Sequence, residues 1–249
     1  MIICNSHNFT VIRAPKTGGT SLELYIIDSG LLDSTTDVYA LEGGFTTIEE
    51  FKAYSDTHGE LAFPQIDKEF RGVAYLADAQ KPFSKLVEEG KVASAMPCIG
   101  GIRHPLERLA SLYYYANLRN EILNNKHLAE HGTPFPMYSG NKSEFGEPDA
   151  SWDLIFRKVG GALDYYVTPQ MDYYPDHAQL FNVENMNEHV SQFISDKGGN
   201  VPAQTLALRA SGNDPSYYLN NLSEDRKRRS LEIYEKDLIA WEKAYAVYN

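Results

Sequence analysis

Two cysteines in 249 residues, Cys4 and Cys98, cannot build a disulfide framework. Both lie in apolar stretches and read as buried thiols. Long hydrophobic runs are also missing. The most apolar stretches are short and broken by charge or glycine, far below the roughly 20 apolar residues a spanning helix needs, so no membrane partner is expected. The first residues, Met1-Ile2-Ile3-Cys4-Asn5-Ser6-His7, have no basic segment leading into an apolar run, and a secretory signal is not expected. Positive charge is scarce: 23 Lys and Arg stand against 34 Asp and Glu, for a net charge of −11. Non-specific nucleic-acid binding needs a basic face, so a nucleic-acid partner is not expected. The same sign argues against a long polyanionic acceptor, although a local basic cleft can override it. Internal repeats and low-complexity tracts are absent.

What is present is the balance of a globular protein, with 43% hydrophobic and 23% charged residues. The length supports one domain over residues 1–249, and the cytoplasm is the default location. Along the chain, Phe9 to Ala14 is rich in β-formers and ends at Pro15. A glycine turn follows, then a helix from Thr20 or Ser21 through Leu22, Tyr25 and Ile26 to Gly30. Capping-box spacing predicts a short helix over 48–54, and a second is expected over 82–89. Met96 to Ile102 reads as a buried strand. Pro105 sits at a first helical position, with Leu106, Leu109, Leu112, Tyr113 and Ala116 at helical spacing behind it. Residues 126–150 carry six glycines and prolines and read as a long loop or lid. A helix over 152–158, a strand over 179–183 and a helix over 187–197 follow. Ser223 caps a final helix whose apolar stripe is Leu231, Tyr234, Leu238, Trp241 and Tyr245. Its basic run, Arg226 to Arg229, reads as a solvated face. Strands alternating with helices imply a three-layer α/β domain with a mainly parallel sheet.

Two segments carry chemistry. In Pro15-Lys16-Thr17-Gly18-Gly19-Thr20-Ser21, a glycine turn between strand and helix aims backbone N–H groups and a positive helix end at one point. Gly18 and Gly19 admit a phosphate close to the backbone, while Thr20 and Ser21 add hydroxyls. Lys16 precedes the glycines, whereas the Walker A lysine follows them. The plainer alternative is a capped helix after a tight turn with Lys16 exposed. In the second segment, Arg103-His104-Pro105-Leu106-Glu107-Arg108-Leu109-Ala110-Ser111, Arg103 ends a strand, and Arg108 and Ser111 share a helix face. A guanidinium at a strand end and a helix hydroxyl form a second anion pocket. Both pockets would then lie at the carboxyl ends of strands, where open α/β sheets bind ligands. The alternative is that Arg108 pairs with a carboxylate and Ser111 packs in the core.

Together, in this order and separation, the two segments resemble the motifs of sulfotransferases that use 3′-phosphoadenosine 5′-phosphosulfate (PAPS). Pro15 to Ser21 is similar to the 5′-phosphosulfate loop, and Arg103 to Ser111 to the 3′-phosphate motif Arg-x-Pro-x-x-Arg-x-x-Ser. The carbohydrate-type and bacterial branch is nearest, since the cytosolic small-molecule branch usually ends the loop in Thr-Trp and this chain has Thr20-Ser21. A phenol or steroid acceptor is thereby disfavoured. Softer likenesses run through Leu180 to Met186 and Ile233 to Leu238. The resemblance implies a P-loop-like sulfotransferase fold. It implies that Lys16 and the amides of Thr17, Gly18, Gly19, Thr20 and Ser21 hold the phosphosulfate, and that Arg103 and Ser111 hold the 3′-phosphate. It assigns His104 no role.

Sulfuryl transfer also needs a base for the acceptor proton, and histidine has the suitable ordinary pKa. His58 falls between the motifs, where the carbohydrate-type branch often places its catalytic histidine, and Glu60 is the substitute. The implied reaction is direct in-line transfer from PAPS to a hydroxyl, a sugar first, releasing 3′,5′-ADP without a metal. Tyrosine pairs such as Tyr113-Tyr114 and Tyr173-Tyr174 can line a sugar site or fill half-buried faces, with packing the commoner use. A P-loop kinase and a binding module that lost its chemistry are the competing functions. The kinase should carry a lysine after the glycines and a magnesium aspartate.

Overall fold

Short buried runs such as Ile2–Cys4 and Cys98–Ile102 build the core of the sheet, and amphipathic spacing builds the helices packed on it. A computed structural model describes residues 1–33, 35–39, 81–114, 147–156, 167–203 and 215–246. In chain order the elements are β1 (Ile2–Cys4), β2 (Phe9–Val11), α1 (Gly19–Asp28), β3 (Val38–Tyr39), α2 (Phe83–Glu88), β4 (Cys98–Ile102), α3 (105–114), α4 (Pro148–Phe156), β5 (Gln179–Asn182), α5 (Met186–Asp196), α6 (Ser216–Asn221), α7 (Glu224–Ile233) and α8 (Glu235–Ala246). Short 3₁₀ turns cover Gln170–Asp172 and Val183–Asn185.

The chain groups into two compact units. The first comprises Met1–Arg103, Gln170–Arg209 and Ile239–Asn249, and the second His104–Pro169 and Ala210–Leu238. The chain crosses between them after residues 103, 169, 209 and 238. No single linker therefore exists for composition to mark.

The first unit is α/β. Among its described residues five strands lie in the order β3-β1-β2-β4-β5. β1 runs antiparallel to β2 and β3, while β2–β4 and β4–β5 are parallel, so four of the five strands point the same way. Ile2 faces Val11 across the opening hairpin, and Thr10 and Val11 face Cys98 and Ile99. β1 is not announced by the sequence. Three consecutive buried residues have no alternation to read, and only pairing with β2 makes them a strand. α1 and α5 bury their stripes on the sheet. Leu22, Tyr25 and Ile26 meet Val190, Phe193 and Ile194 in one core with Phe9, Val11 and Ile99. Phe9 and Phe193 meet edge to face at 5.2 Å. Each such side chain contributes about 1.5–3 kcal/mol of burial.

The described residues of the second unit are mostly helical. Leu109, Ala110 and Tyr113 of α3 pack with Trp152, Tyr218, Leu222 and Tyr234. The expected loop over 126–150 ends earlier: residues 126–146 lie outside the described residues, and Pro148 to Ala150 open α4. Proline suits a first helical turn because its missing N–H has no partner to lose there. The expected helix over 48–54 also lies outside the described residues. The single final helix breaks at Tyr234 (φ −107°, ψ 30°), giving α7 and α8. Beyond the break the stripe shifts: Ala244 is buried and Tyr245 is 44% exposed. The basic run is only partly a solvated face. Arg226 binds Asp149 and Asp153 of α4 at 2.7 and 2.8 Å, and Arg229 lies 5.8 Å over the Trp152 ring. Lys227 and Arg228 make short-range pairs along α7. Among the described residues no helix is long and apolar enough to cross a membrane.

Candidate functional site

The Pro15–Ser21 segment leaves β2 and turns directly into α1. After Val11, the Ile12 amide still bonds Ile99 of β4 at 2.9 Å, then the chain turns. Lys16 (φ 65°) and Gly18 (φ 72°) are both left-handed, on either side of buried Thr17. A lysine in that region costs about 1–2 kcal/mol, the kind of strain that persists where surrounding contacts impose it. Gly18 takes the N-cap position of α1 without penalty, and no side chain caps the helix. The helix therefore starts one residue earlier than expected, at Gly19. No side chain caps this helix start, which carries the partial positive charge of any helix N-terminus.

The hydroxyls of the loop are partly committed. Thr17 Oγ1 donates to the Ala14 carbonyl at 2.9 Å, so Thr17 offers a ligand only its amide. Thr20 Oγ1 accepts a bond from Arg13 Nη2. Arg13, 6% exposed, also pairs with Glu23 of α1 at 3.0 Å, and Glu23 in turn meets the Met1 ammonium. A Cβ on Gly19 would lie 2.4 Å from Arg13 Cγ, so this glycine gives the arginine its room. Arg13 thus braces the loop from beneath. Its one signal in the sequence is a charge within the β-rich segment Phe9 to Ala14.

β4 braces the loop from the side. A Cβ on Gly101 would stand 2.1 Å from the Thr17 carbonyl oxygen, and one on Gly100 2.2 Å from the Tyr174 ring. The glycine pair lets loop and ring lie directly on the strand. The Tyr174 hydroxyl accepts from the Ala14 amide at 3.3 Å and donates to the Gly101 carbonyl at 2.8 Å, joining the start of the loop to β4. One residue past β4, the Arg103 backbone is held at both ends by the fully buried Gln170 side chain. Its N–H donates to Oε1 at 3.0 Å, and its carbonyl accepts from Nε2 at 2.9 Å. Neither Gln170 nor Tyr174 carries a local pattern that marks this role.

Lys16, Thr17, Gly18, Gly19, Thr20, Ser21 and Arg103 all belong to the first unit, at the carboxyl ends of the parallel neighbours β2 and β4. Lys16 and Arg103 are half-buried. Ser111 belongs to the second unit, half-buried on α3. Arg108 follows the plainer of its two readings. At 2% exposure it donates to the Thr168 carbonyl at 2.8 Å, lies 3.8 Å from buried Asp237, and stacks 5.5 Å over the Tyr234 ring. His104 acquires a structural role, since its Nδ1 accepts from the Leu106 amide at 3.3 Å and caps α3. His58 and Glu60 lie outside the described residues.

The tyrosines within the described residues mostly serve packing: Tyr113, Tyr173, Tyr174 and Tyr218 are buried, while Tyr217 is exposed. Both thiols are buried and unbridged, and burial pushes the pKa of Cys4 and Cys98 up, so neither is an activated nucleophile. Among the described residues no group of three His, Cys, Asp or Glu side chains is arranged to hold a metal ion. Comparison with protein-family models, curated proteins and solved structures finds no match to this chain.

Proposed function

We propose that this protein is a cytoplasmic PAPS-dependent sulfotransferase of P-loop-like, three-layer α/β fold, acting on a hydroxyl-bearing acceptor, with a sugar the first choice. The observation that carries the reading is a juxtaposition within the first unit. An uncapped helix N-terminus preceded by Lys16 stands at the end of β2, and Arg103 stands at the end of its parallel neighbour β4. Two cationic anion sites at one sheet end suit a nucleotide that is phosphorylated at both its 5′ and 3′ positions.

In this reading the first-turn amides of α1 and the Thr17 amide cradle the 5′-phosphosulfate, and Arg103 takes the 3′-phosphate. The acceptor oxygen attacks sulfur in line with the bond between sulfur and the 5′-phosphate oxygen. As that bond breaks, its electron pair passes to the phosphate, and Lys16 meets the charge that grows there. Such preorganised stabilisation is typically worth about 2.7–4 kcal/mol. The acceptor proton goes to His58, with Glu60 as the alternative base, and 3′,5′-ADP leaves. No metal is required by this scheme.

Calorimetric titration with 3′,5′-ADP, 5′-AMP and ATP with magnesium tests the proposal. Binding that depends on the 3′-phosphate and weakens in Arg103→Ala supports it. Equal binding of 3′,5′-ADP and 5′-AMP, or preference for ATP with magnesium, overturns it in favour of a kinase. PAPS binding without turnover on a broad acceptor panel indicates a binding module instead.

A further inference from the structure

We infer that Gln170 and Tyr174 are positioning residues that set the two anion subsites at the spacing of a 3′,5′-bisphosphorylated nucleotide, Gln170 acting on the 3′ end and Tyr174 on the 5′ end; this rests on the sulfotransferase reading. The two side chains come from one short segment. A 3₁₀ turn at Gln170–Asp172 is closed by the Tyr173 amide on the Gln170 carbonyl at 3.1 Å and the Tyr174 amide on the Met171 carbonyl at 3.4 Å. The Tyr173 carbonyl in turn accepts from the Phe83 amide of α2 at 2.9 Å. The segment is therefore fixed by its own backbone and by its neighbour.

Each side chain then uses its polar atoms on a backbone that bears a ligand group. The β4–β5 ladder ends at Ile102 opposite Asn182. For the next residue, Arg103, the Gln170 amide replaces a strand partner, bonding both the N–H and the carbonyl. Without it, the Arg103 backbone loses both of these bonds, which fix where its guanidinium starts. Four residues on, the Tyr174 hydroxyl ties Ala14 to Gly101, fixing where the 15–21 loop departs from the sheet. A single braced turn therefore carries a contact to the start of the loop and a contact to Arg103, linking the two subsites.

The two residues have different signatures. The test uses the full chain, calorimetry with 3′,5′-ADP and 5′-AMP, and a thermal melt of each variant. Gln170→Ala should reduce affinity for 3′,5′-ADP about tenfold and leave 5′-AMP binding near wild type, two neutral hydrogen bonds being lost. Gln170→Glu keeps the acceptor for the Arg103 N–H but not the donor, so its preference should fall between the two. Tyr174→Phe should weaken both nucleotides by a common factor and preserve their ratio. If Gln170→Ala does not fold, the other two variants decide. A Gln170→Glu or folded Gln170→Ala protein with the wild-type ratio overturns the inference, as does a changed ratio in Tyr174→Phe. If the wild-type chain itself shows no preference for 3′,5′-ADP, the sulfotransferase reading falls and the inference with it.

Discussion

Gly101→Ala adds one methyl group where the loop and β4 touch, and its effect can be worked from a single distance. The new Cβ would sit 2.1 Å from the Thr17 carbonyl oxygen and 2.7 Å from Met186 Cε. A close carbon–oxygen contact is about 3.3 Å, so the strand and the loop must part by about 1 Å. Met186 can rotate away, but the carbonyl is main chain, held between left-handed Lys16 and Gly18. Overpacking of this kind costs about 1–3 kcal/mol. For a chain of this size that corresponds to roughly 2–4 °C of melting temperature per kcal/mol. The larger consequence is for the site, because a displacement of about 1 Å can cost about 10²-fold in turnover. Differential scanning calorimetry and titration with 3′,5′-ADP on the same preparation read both effects. The Gly100→Ala protein provides the contrast. Its clash is with the Tyr174 ring, so Tyr174→Ala should offset part of its cost, whereas no side-chain truncation relieves the main-chain clash of Gly101→Ala with the Thr17 carbonyl. A Gly101→Ala protein that melts and binds 3′,5′-ADP like wild type would show that the loop does not rest on β4 as described.

Lys16→Ala should lower turnover by about 10²–10³-fold. Lys16→Gly should be equally inactive yet more stable by about 0.5–1 kcal/mol, since relief of the left-handed penalty exceeds the entropy cost of glycine; identical urea midpoints would refute the strain at Lys16. Arg108→Met should destabilise by about 3 kcal/mol by leaving Asp237 buried beside an apolar chain. The 3′,5′-ADP affinity of the folded protein should hold, and a loss of affinity at unchanged stability would return Arg108 to the site. The His189 pKa is lowered, chiefly by burial. The unfolded chain therefore binds this proton more readily, and stability falls as pH drops below about 6.5 until the folded-state value is passed. Urea unfolding at pH 7.5 and 5.5 should show a smaller difference in His189→Gln, and an equal difference would remove His189 from the acid response.

The sheet shows how sequence and structure divide the information. β4, β5 and α5 were legible: the expected strands over 96–102 and 179–183 and the expected helix over 187–197 each lie within two residues of the observed bounds. β1 was not, because three residues carry no period and become a strand only through a partner seven residues on. The final helix read as one because nothing in Ile233-Tyr234-Glu235 is a helix breaker; the non-helical backbone of Tyr234, buried with its hydroxyl on the Val167 carbonyl at 2.8 Å, belongs to the tertiary setting.

The candidate site divides in the same way. Local chemistry was enough to single out Pro15 to Ser21 and Arg103 to Ser111, because glycines, hydroxyls and cations at short spacing constrain the backbone that bears them. The tertiary structure decided between the two readings of Arg108. The two arginines stand five residues apart in one motif, yet one ends β4 at the loop and the other is buried against Asp237 and Tyr234. Only the tertiary structure supplied Arg13, Gln170 and Tyr174, and the reason for the glycine pair in β4. A hydrogen bond between residues 67 or 160 positions apart leaves no trace in local composition. It exists because a chain folded for burial brings those groups together, and burial then requires each of them to find a partner.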